Sequence, residues 1–308
     1  MPTAYFTHPA FLDHDTGPGH PERADRLRAV WNALEGPDFA ALQRFQAPEA
    51  SDADLALGHP AAYVQALVGA LPTQGYGMLD ADTIVSPGSG PAARRAAGAV
   101  IAAVDRVLKG DARNAFCAVR PPGHHAEPDR PMGFCLFNNV AIAARHALER
   151  HGLARVAVMD FDVHHGNGTE TWARRDARLF YASTHQSPFY PGTGEANDPA
   201  VPNLVNAPLD AGAGSAEFRA AMERTVLPAL RRFAPELVLI SAGFDAHLRD
   251  PLAQVALDED DFAWATDALC DVAAASASGR LVSALEGGYD LDALAASVAA
   301  HVRVLMAR

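Results

Sequence analysis

Short, nearly continuous apolar runs alternate along the chain with longer segments in which apolar positions recur at helical spacing. The short runs are 3–7, 114–120, 155–163, 178–184, 236–243 and 279–287. They are rich in Val, Leu, Ile, Phe and Ala, and most show no polar–apolar alternation. That pattern predicts strands covered on both faces, as in a parallel sheet. The longer segments, 23–35, 91–109, 137–151, 168–176, 215–233, 259–277 and 291–306, read as helices. A strand-then-helix rhythm predicts an α/β architecture with right-handed crossovers. No internal repeat, low-complexity tract or composition shift marks a linker, so 1–308 reads as one domain.

Four of the apolar runs end in unusual chemistry. "NAFCAV" is followed by "RPPGHHAE", "RVAVM" by "DFDVHHGNG", "ELVLIS" by "AGFDAH" and "RLVSAL" by "EGGYD". Ligands of open parallel sheets bind beyond the carboxyl ends of the strands. Four such ends on one edge point to a site there. Asp160, Asp162 and His164 stand at alternate positions. On an extended chain they share a face, while Phe161 and Val163 turn the other way and pack. Carboxylates and an imidazole so close suit a divalent metal, with Asp245 as a third ligand. Three protein ligands leave a position open, the catalytic pattern rather than the closed structural one. Zinc fits first, and iron(II) or cobalt also accepts this set.

Isolated residues of these types are more often loop hydrogen-bonders. The group Asp162, His164 and Asp245 differs, because buried carboxylates need a cation to offset desolvation. The doublet His124-His125 offers a base and an acid beside the metal. Asp160 can instead accept a hydrogen bond from an imidazole and fix its tautomer. Tyr289, after Gly287-Gly288, can aim a phenol at a developing oxyanion. The bland alternatives are a structural and a solvent histidine, and a packing tyrosine.

Composition narrows the partners. Apolar residues make up 49% of the chain, enough for a large core. The formal net charge is 25 − 37 = −12, without a Lys/Arg cluster longer than a pair. A nucleic-acid surface is therefore not expected, and a cationic substrate is tolerated. Cys117, Cys135 and Cys270 are too scattered for a disulfide framework. The first residues lack a basic region followed by an apolar stretch, and "AAGAVIAAV" is too short to span a bilayer. The expectation is a cytoplasmic protein without membrane contact.

The motifs together, "RPPGHHAEPDRPMGFCLFNNVAIAARHA", "MDFDVHHGNGT", "PGTG", "SAGFDAH" and "LEGGYD", resemble the metal-dependent histone deacetylase superfamily, as does the opening "FTHPAFLDHDTGPGHPERADRL". That superfamily also holds acetylpolyamine amidohydrolases and acetoin-utilisation proteins. The resemblance covers about residues 5 to 295. It implies the arginase-deacetylase α/β fold, a parallel sheet of about eight strands flanked by helices. It implies a zinc-dependent amidohydrolase that removes acetyl or other short acyl groups from N-acyl-lysine side chains. Zinc on Asp162, His164 and Asp245 is implied, with His125 as general base then acid. His124 is implied as an electrostatic helper held by Asp160, and Tyr289 as the oxyanion donor.

Behind the second histidine stands Asn167, the pattern of the class II and bacterial branches; a neutral partner leaves His125 less basic. A potassium ion is implied at Asp160, Asp162, His164, Ser183 and Thr184, partly through backbone carbonyls. Gly133 and Phe134 match one wall of the family's substrate tunnel. Tyr190 falls where the opposite wall is usually phenylalanine, which adds a hydroxyl. Leu252 resembles the lysine-deacetylating branch, since the polyamine-selective branch tends to carry glutamate there. Asp82 is a rim residue able to accept from a substrate backbone. The implied partners are an acyl-lysine peptide or protein, or a small acylated amine. Alternatives are an acetylpolyamine amidohydrolase and a non-catalytic acyl-lysine binding module.

Overall fold

The computed structural model describes residues 1–195 and 201–308. In chain order the elements are β1 (Thr3–Thr7), α1 (Ala24–Leu34), β2 (Gln43–Gln46), α2 (Asp52–Leu55), α3 (Ala61–Ala70), β3 (Gly77–Met78), β4 (Ile84–Val85), α4 (Ser89–Lys109), β5 (Asn114–Cys117), α5 (Asn139–Arg150), β6 (Val156–Asp160), α6 (Asn167–Arg175), β7 (Leu179–Gln186), β8 (Leu204–Leu209), α7 (Ser215–Ala221), α8 (Leu227–Phe233), β9 (Leu237–Ala242), α9 (Glu259–Ser276), β10 (Leu281–Leu285) and α10 (Leu291–Ala307). Eight strands form one sheet in the order β2-β1-β5-β10-β9-β6-β7-β8. Every pairing in it is parallel. β3 and β4 make a separate two-stranded ribbon.

All residues of β5, β6, β9 and β10 are buried, as continuous apolar runs demand between two helix layers. These four are consecutive in the sheet, and they are the strands whose ends carry the histidines, aspartates and tyrosine. The site therefore sits at the middle of the carboxyl edge.

The six strand expectations hold: β1 has the expected bounds, β5, β6, β9 and β10 are shorter, and β7 runs on to Gln186. β6 stops at Asp160, so 161–163 does not continue it, and a bend follows. Two edge strands escaped the pattern. β2 is "QRFQ", largely exposed, and β8 contains Pro208. An edge strand has one partner, so it tolerates both polarity and proline. α3 also went unseen, because "AAYVQALVGA" shows little polar contrast. The segment 215–233 is helical but interrupted by a π turn at Met222–Val226. Pro228 lies in the first turn of α8; it lacks an N–H and its ring crowds the carbonyl one turn earlier.

A buried charge network ties the N-terminal segment to the site. Glu22 accepts from Arg120 Nη2 at 2.6 Å and from Arg26 Nη1 at 3.1 Å. All three side chains are fully buried. Burial alone raises the Glu22 carboxyl, but Arg120 and His14 outweigh it and hold it well below the usual range. Arg26 also donates to the Gly288 and Glu286 carbonyls at 2.6 and 2.5 Å. The loop after β10 is thereby fixed from beneath.

Glu170 fastens α6 to the sheet. It accepts from Asn206 Nδ2 at 2.8 Å and Arg174 Nε at 2.7 Å, and pairs with His165 at 2.7 Å. Burial works to raise its carboxyl, and these partners nevertheless bring it down to about 2 from 4.5. A carboxylate depressed in the folded state stabilises above its ordinary value and loses that contribution as pH falls toward the folded value. The stability difference between wild type and Glu170→Gln is therefore expected to be full above pH about 5 and to vanish near pH 2. Denaturant unfolding across that range measures it, and a pH-independent difference contradicts the assignment.

Candidate metal centre

Beyond β6 the backbone bends and returns Asp162 and His164 to the sheet edge, where Asp245 arrives from the end of β9. His164 Nδ1 lies 3.1 Å from Asp162 Oδ1 and 3.1 Å from Asp245 Oδ2. All three residues are buried, and one ligand atom from each lies within 4.8 Å of the others. Backbone amides aim the carboxylates. Asp245 Oδ1 accepts from Val163 N at 2.9 Å, and Asp162 Oδ2 accepts from Gly287 N at 2.9 Å. Only glycine fits around them. A Cβ on Gly243 would run into the Asp162 carboxylate, and one on Gly287 into that of Asp245.

Electrostatics asks for a cation at this point. Burial opposes charge on His164, yet Asp162 and Asp245 lift its imidazole to about 10. Burial and the Asp162 charge push the Asp245 carboxyl up, while His124 and His164 overcome burial and hold that of Asp162 well below the usual range, so one carboxylate of the two is left poorly compensated. Two carboxylate oxygens and one nitrogen at these separations fit a divalent ion of the zinc or iron(II) kind.

Asp160 does not join the triad. The extended reading of 160–164 fails because the strand ends at Asp160. Its Oδ2 meets His124 Nδ1 at 3.0 Å and accepts from the Tyr181 hydroxyl at 3.1 Å, while Oδ1 accepts from Asp162 N. Burial resists protonation of His124, but the Asp162 and Asp160 charges raise it well above the ordinary value. The Glu286 carboxylate accepts from the amides of Gly123 and His124 at 2.6 and 3.2 Å, setting the turn that presents both histidines.

His125 Nδ1 lies 2.9 Å from Asn167 Oδ1. Asn167 Nδ2 in turn donates to Glu127 Oε1 at 2.9 Å. A carboxylate only accepts, so Glu127 fixes which end of the amide faces His125. His125 must then donate from Nδ1, leaving Nε2 with its lone pair. Burial, reinforced by His124 and His164, holds His125 well below the ordinary value. Glu127 was not picked out from the sequence, although it stands in the quoted "GHHAE"; the signal was a carboxylate two residues beyond the doublet.

Tyr289, Phe134, Gly133, Tyr190, Leu252 and Asp82 line one cavity with His124, His125 and His164. Asp250, also unrecognised in the sequence, accepts from Tyr289 N at 2.7 Å and Leu252 N at 3.0 Å. The Arg26 guanidinium lies 4.8 Å over the Tyr289 ring. Phe134 meets Tyr289 edge-on at 5.9 Å, and Tyr190 meets His125 edge-on at 5.2 Å. Gly133 is left-handed, where any Cβ would strike the His125 ring, and Phe134 shares that conformation. A phenylalanine held there by its surroundings is the kind of local strain that recurs at working sites. Ser183 pairs with Asp160 in register and Thr184 follows; both are buried.

A family model for the histone deacetylase domain matches residues 20–305. The chain is 45% identical over 277 residues to a histone deacetylase-like amidohydrolase of Pseudomonas aeruginosa, covering 88% of this chain and 73% of that protein. It is 36% identical to a probable deacetylase of Archaeoglobus fulgidus, covering 95% and 82%. The solved HDA15 HD domain superposes with a TM-score of 0.94 at 34% identity, over 100% of this chain and 88% of that one. A parallel sheet with this strand order, a buried carboxylate–imidazole triad at its edge and these similarities have one reading: the chain belongs to the histone deacetylase family of deacetylases and amidohydrolases.

Proposed function

We propose that the chain, as a single catalytic domain, is a zinc-dependent amidohydrolase that removes acetyl or other short acyl groups from N-acyl-lysine side chains. The observation that carries this is the Asp162, His164 and Asp245 cluster, which reaches one cavity through His164, beside a His125 on the same cavity whose Nδ1 is taken by Asn167. Asp162, His164 and Asp245 would hold zinc, or iron(II), which supplies a Lewis acid for the amide carbonyl and lowers the pKa of water.

The side chains divide the remaining work. His125 Nε2 accepts the proton of the attacking water and later delivers it to the departing amine. Asn167, pinned by Glu127, keeps His125 in that tautomer. His124, held charged by Asp160, supplies positive potential beside the reacting carbon. Tyr289 donates its phenolic hydrogen to the carbonyl oxygen as negative charge develops there, its backbone fixed by Asp250. Gly133, Phe134 and Tyr190 flank an aliphatic stem, and Asp82 at the rim accepts from the substrate's backbone. A potassium ion at Asp160, Asp162, His164, Ser183 and Thr184 would brace the strand ends. Three free buried cysteines accord with a reducing, cytoplasmic setting. No helix among the described residues is long and apolar enough to cross a membrane.

A second reading is a small acylated amine as substrate, favoured by Asp82 on the cavity wall and by Asp80, whose carboxylate accepts from the Asp82 amide at 3.0 Å. Leu252 stands against it, because it offers no charge to a substrate ammonium. A binding-only module is disfavoured, since every ligand and donor is present.

Tyr289→Phe is expected to lower kcat/KM on an acetyl-lysine peptide by about 100- to 1000-fold while metal content stays unchanged. Full activity in that variant removes Tyr289 from the reaction. Leu252→Glu is expected to shift the peptide-to-acetylpolyamine preference toward the polyamine by about tenfold, ~1.4 kcal/mol. An unchanged ratio denies Leu252 its role in selectivity.

A further inference from the structure

Away from the sheet edge, a second group of metal-ligating side chains joins two helices. Asp105 of α4 faces His146 of α5 and His151, the residue that closes α5. Both imidazoles present the same atom to the same oxygen. His146 Nε2 and His151 Nε2 each lie 2.7 Å from Asp105 Oδ1. Their rings are 5.1 Å apart at 72°, so the two nitrogens converge rather than stack. His146 is buried, and the His151 side is open to solvent.

We propose that Asp105, His146 and His151 form a second divalent transition-metal site, for an ion of the zinc, nickel or copper class. Two imidazoles and a carboxylate are the donors such ions prefer, and magnesium and calcium are not expected to compete. The ligand atoms need little rearrangement. In a tetrahedral shell with bonds near 2.0–2.1 Å they stand about 3.3 Å apart, so they must part by roughly half an ångström. Open coordination positions on the His151 side are filled by water. Asp105 Oδ2 remains turned to Lys109 Nζ, 3.9 Å away. That ammonium weakens the site. His146 Nδ1 has no hydrogen-bond partner among the described residues, so the outer contact that commonly fixes a metal-bound imidazole is missing. Micromolar affinity is the expectation.

The placement gives the site a structural consequence. Asn138 caps the other end of α5, and its Nδ2 donates to Ala126 O at 3.3 Å in the loop that carries the histidine doublet. His146 lies about 12 Å farther along the same helix. An ion there clips α4 to α5 and braces the helix on which that loop rests. Neither the ion nor its ligands touch the first centre, so the proposal does not depend on the hydrolytic reading.

The test uses tag-free protein already loaded with zinc at its first centre. Calorimetry with nickel(II), and metal analysis after dialysis against zinc, are expected to show one further equivalent per chain, with magnesium inert. His151→Gln and Asp105→Asn, both partly exposed positions, are expected to weaken that equivalent by at least about tenfold. Lys109→Gln is expected to tighten it severalfold, because a nearby like charge is removed. Copper(II) resonance spectra should show coupling to two nitrogens, reduced to one in His151→Gln. No further equivalent at about 1 mM metal, or one indifferent to all three substitutions, overturns the proposal.

Discussion

Two carboxylates each lie 3.1 Å from one imidazole nitrogen at a buried sheet edge, and the rest of the structure is arranged around that constraint. Buried carboxylates are costly unless hydrogen-bonded and compensated. Here each has a backbone amide on it, and glycines stand where any side chain would intrude. A divalent ion at the candidate site would complete the compensation. The same ion is what the proposed chemistry needs, so the feature that would otherwise destabilise the fold is the feature that gives it a function.

The surrounding layers keep the neighbouring groups in chosen protonation states. His124 and His125 are adjacent in sequence with ring centroids 4.0 Å apart, yet they are pushed in opposite directions. His124 faces the carboxylate of Asp160. His125 faces a neutral amide whose orientation is dictated by Glu127. Separated protonation tendencies of this kind fit the proposed division, in which His124 stays charged and His125 moves the proton. Below them, Glu22 between Arg26 and Arg120 locks the loop that holds Tyr289. Removing one member of such a buried set leaves an uncompensated charge, so the three side chains are retained or lost together.

The architecture was legible in the sequence where burial left a periodic mark. The four central strands are continuous apolar runs, and the polar residues at their ends gave away the site. The edge strands β2 and β8 were not legible, because an exposed "QRFQ" and a proline-containing strand carry no such mark. The alternate-position reading of Asp160, Asp162 and His164 placed Asp162 and His164 together, as the structure does, but for a wrong reason, since the chain bends after Asp160 and leaves Asp160 outside the cluster. Glu127, Asp250 and Arg26 were missed because their meaning lies in partners remote in sequence. Arg26 contacts the carbonyl of a glycine 262 positions away.

The measurement that tests the account most directly is turnover of an acetyl-lysine peptide by the purified, zinc-loaded protein, beside an acetylated polyamine. Each is run before and after treatment with a strong zinc chelator, and again after zinc is restored. The account predicts turnover of the peptide that the chelator abolishes and zinc returns. Turnover that survives complete removal of metal, or none of either substrate with zinc bound, contradicts it.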